Sequence, residues 1–421
     1  MKIVLKKKSY EEVLALKPPK QKKPQKPNLF WRTLLKLLSS GVLKKEGFTY
    51  TIEGMEKVGE GPCLILMNHS SFMDLEIAEH IFYPKPLGIV CTSDGFIGKD
   101  FLMRWIGCIP TKKFVSDPKL ISDIRYALDE LKINVLMYPE ASYSFDGTAT
   151  PLPRRLGVLL KRLGVPVVMI ETFGAFARQP LYNCLKKREV PITAKVYGLL
   201  SKEEIKEKSV EELDSVLDQA FAYDHFRWQQ ENKVKIDHPD RAEGLERILY
   251  KCLQCGAEGK NEGKGISMIC KSCGAEYELD EYGCLRAKNV VGKFDHIPAW
   301  FAWERQEVQK ELFSGTYKLE TAVRICMMVD HKSIYEVGEG TLTHNTDGFT
   351  LTGCDGKLQF HLPPTASYSL YADYYWYEHG DIICIGNNDC LYYCFPDEGI
   401  SVAKARLATE ELYKIKKNIK G

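Results

Sequence analysis

Between about residues 47 and 200, short apolar runs alternate with stretches of helical periodicity. Cys63–Met67, Leu87–Cys91, Asn134–Tyr138, Val165–Ile170 and Ile192–Tyr197 have the length and composition of strands, and Leu75–Phe82, Leu120–Leu131 and Leu156–Leu163 read as helices. This alternation predicts a layered α/β sheet. Ser209, with Glu212 three residues on, forms a capping box that opens a further helix, whose apolar stripe is Leu213, Val216, Leu217, Ala220 and Phe221. From 316 to 398 the chain becomes rich in Tyr, Thr, Ile and Val. Turn signals punctuate it at Asn345-Thr346-Asp347-Gly348, Asp355-Gly356, His379-Gly380-Asp381 and Gly386-Asn387-Asn388-Asp389. That pattern predicts antiparallel β structure closed by one helix at about 401–417. Such a set is compatible with a pleckstrin-homology-like domain and with other small β folds. There is no internal repeat.

The N-terminal 45 residues differ from the rest. They hold 13 Lys/Arg against 2 Asp/Glu, a charge of +11, in a chain whose total is +2, so the remainder carries −9. Residues 17–27 are a Pro/Lys-rich stretch that cannot be helical. Residues 1–28 therefore read as a basic tail. Leu29–Leu43 reads as a helix on which Arg32, Lys36, Ser39 and Ser40 form one polar stripe and Leu, Phe, Trp and Val cover the rest. A wide apolar face beside a basic stripe suits a helix lying in a membrane interface, and equally a helix docked on its own domain. The expected partner of the basic segment is an anionic membrane surface. The start, Met1 to Leu16, lacks the apolar core of a signal peptide, and no run of 18 apolar residues predicts a spanning helix. The chain is expected to be cytoplasmic, and peripheral on the cytoplasmic face of the membrane.

Cys252-x2-Cys255 and Cys270-x2-Cys273 are separated by fourteen residues. Two short chelate loops at this spacing place four thiolates around one tetrahedral ion. Structural zinc is the expected occupant, with iron, disulfides or a redox pair as the alternatives. Gly256 and Gly274 each follow a second cysteine and allow the tight turn such loops need. Between Tyr250 and Tyr282 there are four Lys and six Asp/Glu, which argues against a nucleic-acid partner. The other ten cysteines are scattered, many in apolar runs, as expected of buried thiols in a reducing compartment. The predicted organisation is a tail (1–28), an α/β domain with an N-terminal amphipathic helix (29–240), a zinc ribbon (248–290), a linker helix (291–315) and a β-rich domain (316–421).

The chemistry concentrates after the first buried strand. Asn68-His69-Ser70-Ser71-Phe72-Met73-Asp74 sets a carboxylate five residues from an imidazole, a pair able to work as an oriented general base. Gly107-Cys108-Ile109-Pro110-Thr111-Lys112-Lys113 ends in two cations, and Tyr138-Pro139-Glu140-Ala141-Ser142-Tyr143-Ser144 places a carboxylate at the end of another buried strand. Ligands of open α/β sheets sit beyond the carboxyl ends of strands, so His69 and Glu140 are expected to face one pocket.

These segments resemble the glycerolipid acyltransferase family, which includes 1-acylglycerol-3-phosphate acyltransferase. Asn68, His69 and Asp74 match its first block; Gly107 and Ile109 match its second, with Lys113 where the family has Arg. Pro139, Glu140 and Ser144 match its Phe-Pro-Glu-Gly-Thr-Arg-Ser block, from which Tyr138, Ala141, Ser142 and Tyr143 depart, and Val165-Pro166-Val167 matches the fourth. The resemblance spans roughly residues 30–235. It implies an O-acyltransferase of phospholipid synthesis that moves a fatty acyl group from acyl carrier protein or coenzyme A to a lysophospholipid hydroxyl, 1-acyl-glycerol-3-phosphate above all. His69 would be the base and Asp74 its orienting partner. Asn68, Lys112, Lys113, Glu140 and Ser142 would bind substrate, and backbone N–H groups at the helix start near Phe72 would supply the oxyanion site. The alternative is a non-catalytic lipid-binding adaptor built on an acyltransferase-like domain, with the ribbon and the β domain as interaction modules.

Overall fold

A computed structural model of the chain describes residues 3–419; Met1, Lys2, Lys420 and Gly421, the outermost ends of the tail and of the β-rich domain expected from the sequence, lie outside them. The chain forms two compact units. One holds Lys20–Arg178 and Glu189–His225; the other holds the segment up to Pro19, Gln179–Arg188 and everything from Phe226 on.

The first strand, β1 (Leu5–Lys7), belongs to the second unit. The first unit is built on seven strands: β2 (Thr49–Glu53), β3 (Leu64–Met67), β4 (Leu87–Thr92), β5 (Cys108–Thr111), β6 (Asn134–Met137), β7 (Val167–Phe173) and β8 (Thr193–Leu200). Their order is β2-β8-β7-β3-β6-β4-β5, parallel except where β8 runs antiparallel to β7. The central strand β3 is apolar at every position because both of its faces are covered. Leu64 and Leu66 of β3 face one core, with Leu160, Leu213 and Leu217 from the helices Leu156–Leu163 and Val210–Ala220. Ile65 and Met67 face the other, with Ile77 and Ala78 from the helix Asp74–Phe82 and Leu43 from the helix Leu29–Lys45. The capping box at Ser209 and Glu212 forms as the sequence indicates. Strands β2 and β5, and the short helices Asp100–Trp105, Ala175–Arg178 and Lys202–Glu207, carry no pattern that separates them from loops.

The amphipathic helix forms over Leu29–Lys45, and its polar stripe faces the protein. Arg32 and Ser39 are buried. The Arg32 guanidinium donates to the Pro84 carbonyl, Lys36 to the His80 carbonyl, and Thr33 meets the Tyr83 hydroxyl. Trp31, Leu35 and Leu43 pack inward with them. Leu29, Phe30, Leu37, Leu38 and Val42 are left exposed. The ordinary rule for a surface helix is thus reversed on its outer face.

In the second unit, β9 (Asn261–Lys264), β10 (Ser267–Cys270), β11 (Glu276–Leu279) and β12 (Leu285–Ala287) form an antiparallel four-stranded sheet. The helix Ile297–Ser314 follows. It is more than a linker: Trp300 is fully buried, and Arg305 pairs with Glu410 and Glu411 of the last helix, Val402–Lys416. Seven antiparallel strands, β13 (Leu319–Met328), β14 (Ile334–Asn345), β15 (Gly348–Gly353), β16 (Leu358–Leu362), β17 (Tyr371–Asp373), β18 (Ile382–Gly386) and β19 (Leu391–Pro396), give the order β16-β15-β14-β13-β19-β18-β17. β1 adds to this sheet, parallel to the start of β14, with Leu5 opposite Ile334. The helix Tyr10–Leu14 follows β1, capped by Ser9 and Glu12, with Val13 completely buried. Residues 3–14, charged enough to read as tail, are therefore structured: a few apolar side chains and one strand-pairing edge outweigh the local charge.

Candidate active site

β3 and β6 are parallel neighbours, so the residues just past their C-terminal ends stand side by side. The loop after β3 carries Asn68 and His69; the loop after β6 carries Glu140. His69 Nδ1 lies 2.9 Å from Asp74 Oδ2. The same oxygen accepts the Ser70 N–H at 2.9 Å and the Ser71 N–H at 3.1 Å, so three donors converge on it. The loop wraps a carboxylate that itself begins the helix Asp74–Phe82. This has a consequence for the expected oxyanion site. The N–H groups of Ser70 and Ser71 serve Asp74, that of Met73 serves Ser71 Oγ, and that of Asp74 serves the Ser71 carbonyl. These four donors at the helix start are spent inside the loop.

The His69 ring stacks on Tyr138 (centroids 4.3 Å apart) and on Tyr143 (3.9 Å). Its side chain keeps 16% exposure. Burial holds the imidazole below its ordinary pKa; the hydrogen bond and charge of Asp74 raise it, and the Lys113 charge lowers it. A neutral imidazole with Nδ1–H given to Asp74 leaves the Nε2 lone pair able to accept a proton.

Glu140 is fully buried and binds both loops together. Its Oε2 accepts the His69 N–H (3.0 Å), and its Oε1 accepts the Thr150 N–H (2.8 Å) and the Tyr223 hydroxyl (2.7 Å). Burial pushes its carboxyl up to about 7, while the Thr150 and His69 N–H groups and Tyr223 act in the opposite direction. Asn68 is also buried, with its amide divided between Thr172 and Ser70. Ser142 is buried, and its hydroxyl donates to the Tyr143 carbonyl. Lys113 Nζ sits 5.9 Å from the centroid of the Tyr143 ring, and Lys112 is its half-buried neighbour at the end of β5. His69, Asp74, Asn68, Glu140, Ser142, Tyr143 and Lys113 are thus one assembly. Ala141, where the resembling block has glycine, adopts φ +55°, a left-handed conformation that costs an alanine about 1 kcal/mol. Tyr223, His225, Thr150 and Thr172 join the assembly with no sequence signal of their own, since each lies far along the chain from the residue it contacts.

The four cysteines Cys252, Cys255, Cys270 and Cys273 come together in the second unit, all Sγ atoms lying within 4.8 Å of one another. Cys252 and Cys273 are 3.7 Å apart, and Cys255 and Cys270 are 3.8 Å apart. A zinc–sulfur bond of about 2.3 Å in tetrahedral geometry requires sulfur separations of about 3.8 Å, so the donor set fits such an ion. Gly256 (φ +72°) and Gly274 (φ +74°) take the left-handed turn after each Cys-x2-Cys pair. This cluster could hold a metal, and all its positions are thiols, which leaves none open for substrate.

An α/β sheet with an oriented histidine beyond one strand and a buried carboxylate beyond its neighbour is the frame of the first unit. Residues 49–170 match the family model described as Acyltransferase. Among solved structures, the chain is similar to the 1-acyl-sn-glycerophosphate (LPA) acyltransferase PlsC from Thermotoga maritima, at 15% identity and a TM-score of 0.31, covering 45% of this chain and 78% of that one. No curated protein matches the sequence.

Proposed function

We propose that the protein is a peripheral membrane O-acyltransferase that transfers a fatty acyl group from an acyl thioester, of acyl carrier protein or coenzyme A, to the free hydroxyl of a lysophospholipid such as 1-acyl-glycerol-3-phosphate. The observation that carries this is the His69–Asp74 pair at 2.9 Å beyond β3, inside a segment that matches the acyltransferase family model. Asp74 holds Nδ1–H, and Nε2 takes the proton of the acceptor hydroxyl. The oxygen attacks the thioester carbonyl, the tetrahedral intermediate collapses, and the departing thiolate takes the proton back from the imidazolium. No acyl-enzyme is needed. Lys113, with Lys112, meets the acceptor's phosphate as a point charge, while Asn68, Glu140 and Ser142 shape the loops around it. The four cysteines hold one structural zinc.

The outer face of the helix Leu29–Lys45 supports membrane docking. Its exposed Leu29 and Phe30 continue, through Trp31 and its contact with Trp105 (6.1 Å), to the exposed Phe101 and Leu102 of the helix Asp100–Trp105. Lys20, Lys22, Lys23 and Lys26 precede that face and suit an anionic surface. Among the described residues no helix is long and apolar enough to cross a membrane. The ten cysteines outside the cluster are unpaired by disulfides, which suits a reducing compartment and the cytoplasmic face.

The test is transfer by purified protein offered several lysolipids with both thioesters, and read by mass spectrometry. His69→Ala should abolish transfer and Asp74→Ala should lower it on the order of 100-fold or more, with both variants folded. Because burial holds His69 below its ordinary value, kcat/KM should stay flat through neutral pH and fall only on the acid side of about 6.5. Vesicle binding without transfer to any acceptor would establish the adaptor alternative instead.

A further inference from the structure

The segment after the helix Val210–Ala220 returns to the site from more than 70 residues away. Asp224 bridges Thr148 in antiparallel fashion, and the His225 N–H donates to the Gly147 carbonyl (2.9 Å). In such an extended stretch residues two apart share a face. Tyr223 and His225 are accordingly both buried on the inner side. The Tyr223 hydroxyl donates to Glu140 Oε1 at 2.7 Å, and His225 Nε2 meets Ser70 Oγ at 2.9 Å. Ser70 is the residue next to His69, and its N–H is one of the three donors on Asp74. Glu140 in turn accepts the His69 N–H. Both inward side chains of this segment therefore act on the backbone that carries the base.

The hydrogen-bond inventory fixes the partner of His225. Asn68 Oδ1 accepts both the N–H and the hydroxyl of Thr172, so Asn68 Nδ2 is the donor to Ser70 Oγ at 3.0 Å. His225 stacks on Phe176 (5.2 Å, 7°), and its Nδ1 has no hydrogen-bond partner among the described residues. Burial drives its pKa down to about 3, so the ring is neutral and carries one proton. With that proton on Nδ1, the Ser70 hydroxyl donates to Nε2 and the Nδ1–H lacks an acceptor among the described residues. With it on Nε2, His225 donates to Ser70 Oγ and the Ser70 hydroxyl hydrogen is the one left over; in either tautomer Nε2 holds Ser70 Oγ at 2.9 Å.

We propose that Tyr223 and His225 are positioning residues for acyl transfer: a strap outside the catalytic loops that fixes His69 and Asp74, through Ser70 on one side and Glu140 on the other. Neither touches substrate. The proposal rests on the acyltransferase reading above.

Three variants of the full chain test it. His225→Phe keeps the ring on Phe176 and removes the hydrogen-bonding nitrogen; His225→Gln restores a polar amide near the Nε2 position; Tyr223→Phe removes only the hydroxyl. His225→Phe and Tyr223→Phe should remain folded and lower kcat roughly 10-fold or more with little change in KM, the usual cost of losing a group that orients a reacting side chain. His225→Gln should recover most of the loss. Ser70→Ala combined with His225→Phe should be no worse than the more impaired single variant, since both remove one contact. Wild-type kcat in His225→Phe, equal impairment in the Phe and Gln variants, or additive losses in the double variant would overturn the strap. A readout free of turnover separates this from failure of the enzyme reading. The His69 Nδ1–H proton resonance should shift in His225→Phe, and an unchanged resonance counts against the strap even if the wild type acylates nothing.

Discussion

Single side chains decide the electrostatics of the first unit. Glu79 lies on the helix Asp74–Phe82, 1% exposed, with neither carboxylate oxygen hydrogen-bonded among the described residues. Burial pushes its pKa up to about 7, with the Arg32 charge pulling it back down. A carboxyl raised in the folded state binds its proton more tightly there than in the unfolded chain. Its contribution is present below about 4.5 and is lost as pH rises toward about 7. Glu79→Gln should remove this pH dependence and raise stability at pH 8 by about 3 kcal/mol, the equivalent of roughly two and a half pK units. Chemical denaturation at pH 5 and pH 8 checks it: a variant that loses stability at pH 8 would show that the ionised carboxylate is compensated. The His69–Asp74 pair was legible in the sequence because five residues of one loop suffice to bring the two together. The buried state of Glu79 was not, since helical periodicity assigns a face and not the neighbours across it. Nor did the sequence announce that the Ser70 and Ser71 N–H groups before the helix are consumed by Asp74, because that depends on how the loop curls.

The helix Leu29–Lys45 shows what periodicity can and cannot say. Its two faces were readable, but not which of them would meet the protein: the polar stripe found carbonyl and hydroxyl partners at His80, Tyr83 and Pro84, and Leu29, Leu37 and Leu38 were left outside. An outward apolar face that is free of structural duty makes a clean experiment. Leu37 and Leu38 are 67% and 61% exposed. Leu37→Glu and Leu38→Glu should leave the thermal midpoint within a few degrees. Each should weaken binding to anionic vesicles by roughly 10-fold or more, at about 1.5–3 kcal/mol per leucine side chain removed from the bilayer. The loss should persist at high salt, where screening weakens the lysine contribution. Co-sedimentation at low and high salt measures both. Undiminished binding by the double variant would move the membrane contact elsewhere.

The second unit behaves as one piece built from chain segments hundreds of residues apart. The first cysteine loop is tied to the helix Ile297–Ser314: the Lys251 N–H donates to Glu304 Oε1 at 2.7 Å, and Trp300 Nε1 donates to the Lys251 carbonyl at 3.0 Å. Lys404 of the last helix pairs with Glu258, just beyond Cys255, and with Glu311. A metal bound there would contribute folding free energy, so its removal should not stay local. Chelation should lower the protection of amides in 297–314 and 402–416 as well as 250–290, while the β3, β6 and β7 amides, which belong to a separate core, stay protected. Hydrogen exchange followed by mass spectrometry reads this directly, and a change confined to 250–290 would show the ribbon to be an independent module.

What the chain determined by itself is whatever local order encodes. Buried strands declare themselves as apolar runs and a half-buried one by alternation, so β3, β4, β6 and β7, and the alternating β8, stood within two or three residues of their final bounds. The capping boxes, the cysteine loops and the His-x4-Asp pair are likewise short-range and survive intact. The assignment of residues 3–14 to the C-terminal sheet, the facing of the Leu29–Lys45 helix and the return of Tyr223 and His225 to the loops that carry His69 and Glu140 were decided only by tertiary structure. In each case the deciding partner is a hydrogen-bonding edge or a buried surface supplied by a distant segment. A sequence pattern records how apolar a position is, and does not record which distant group will meet it.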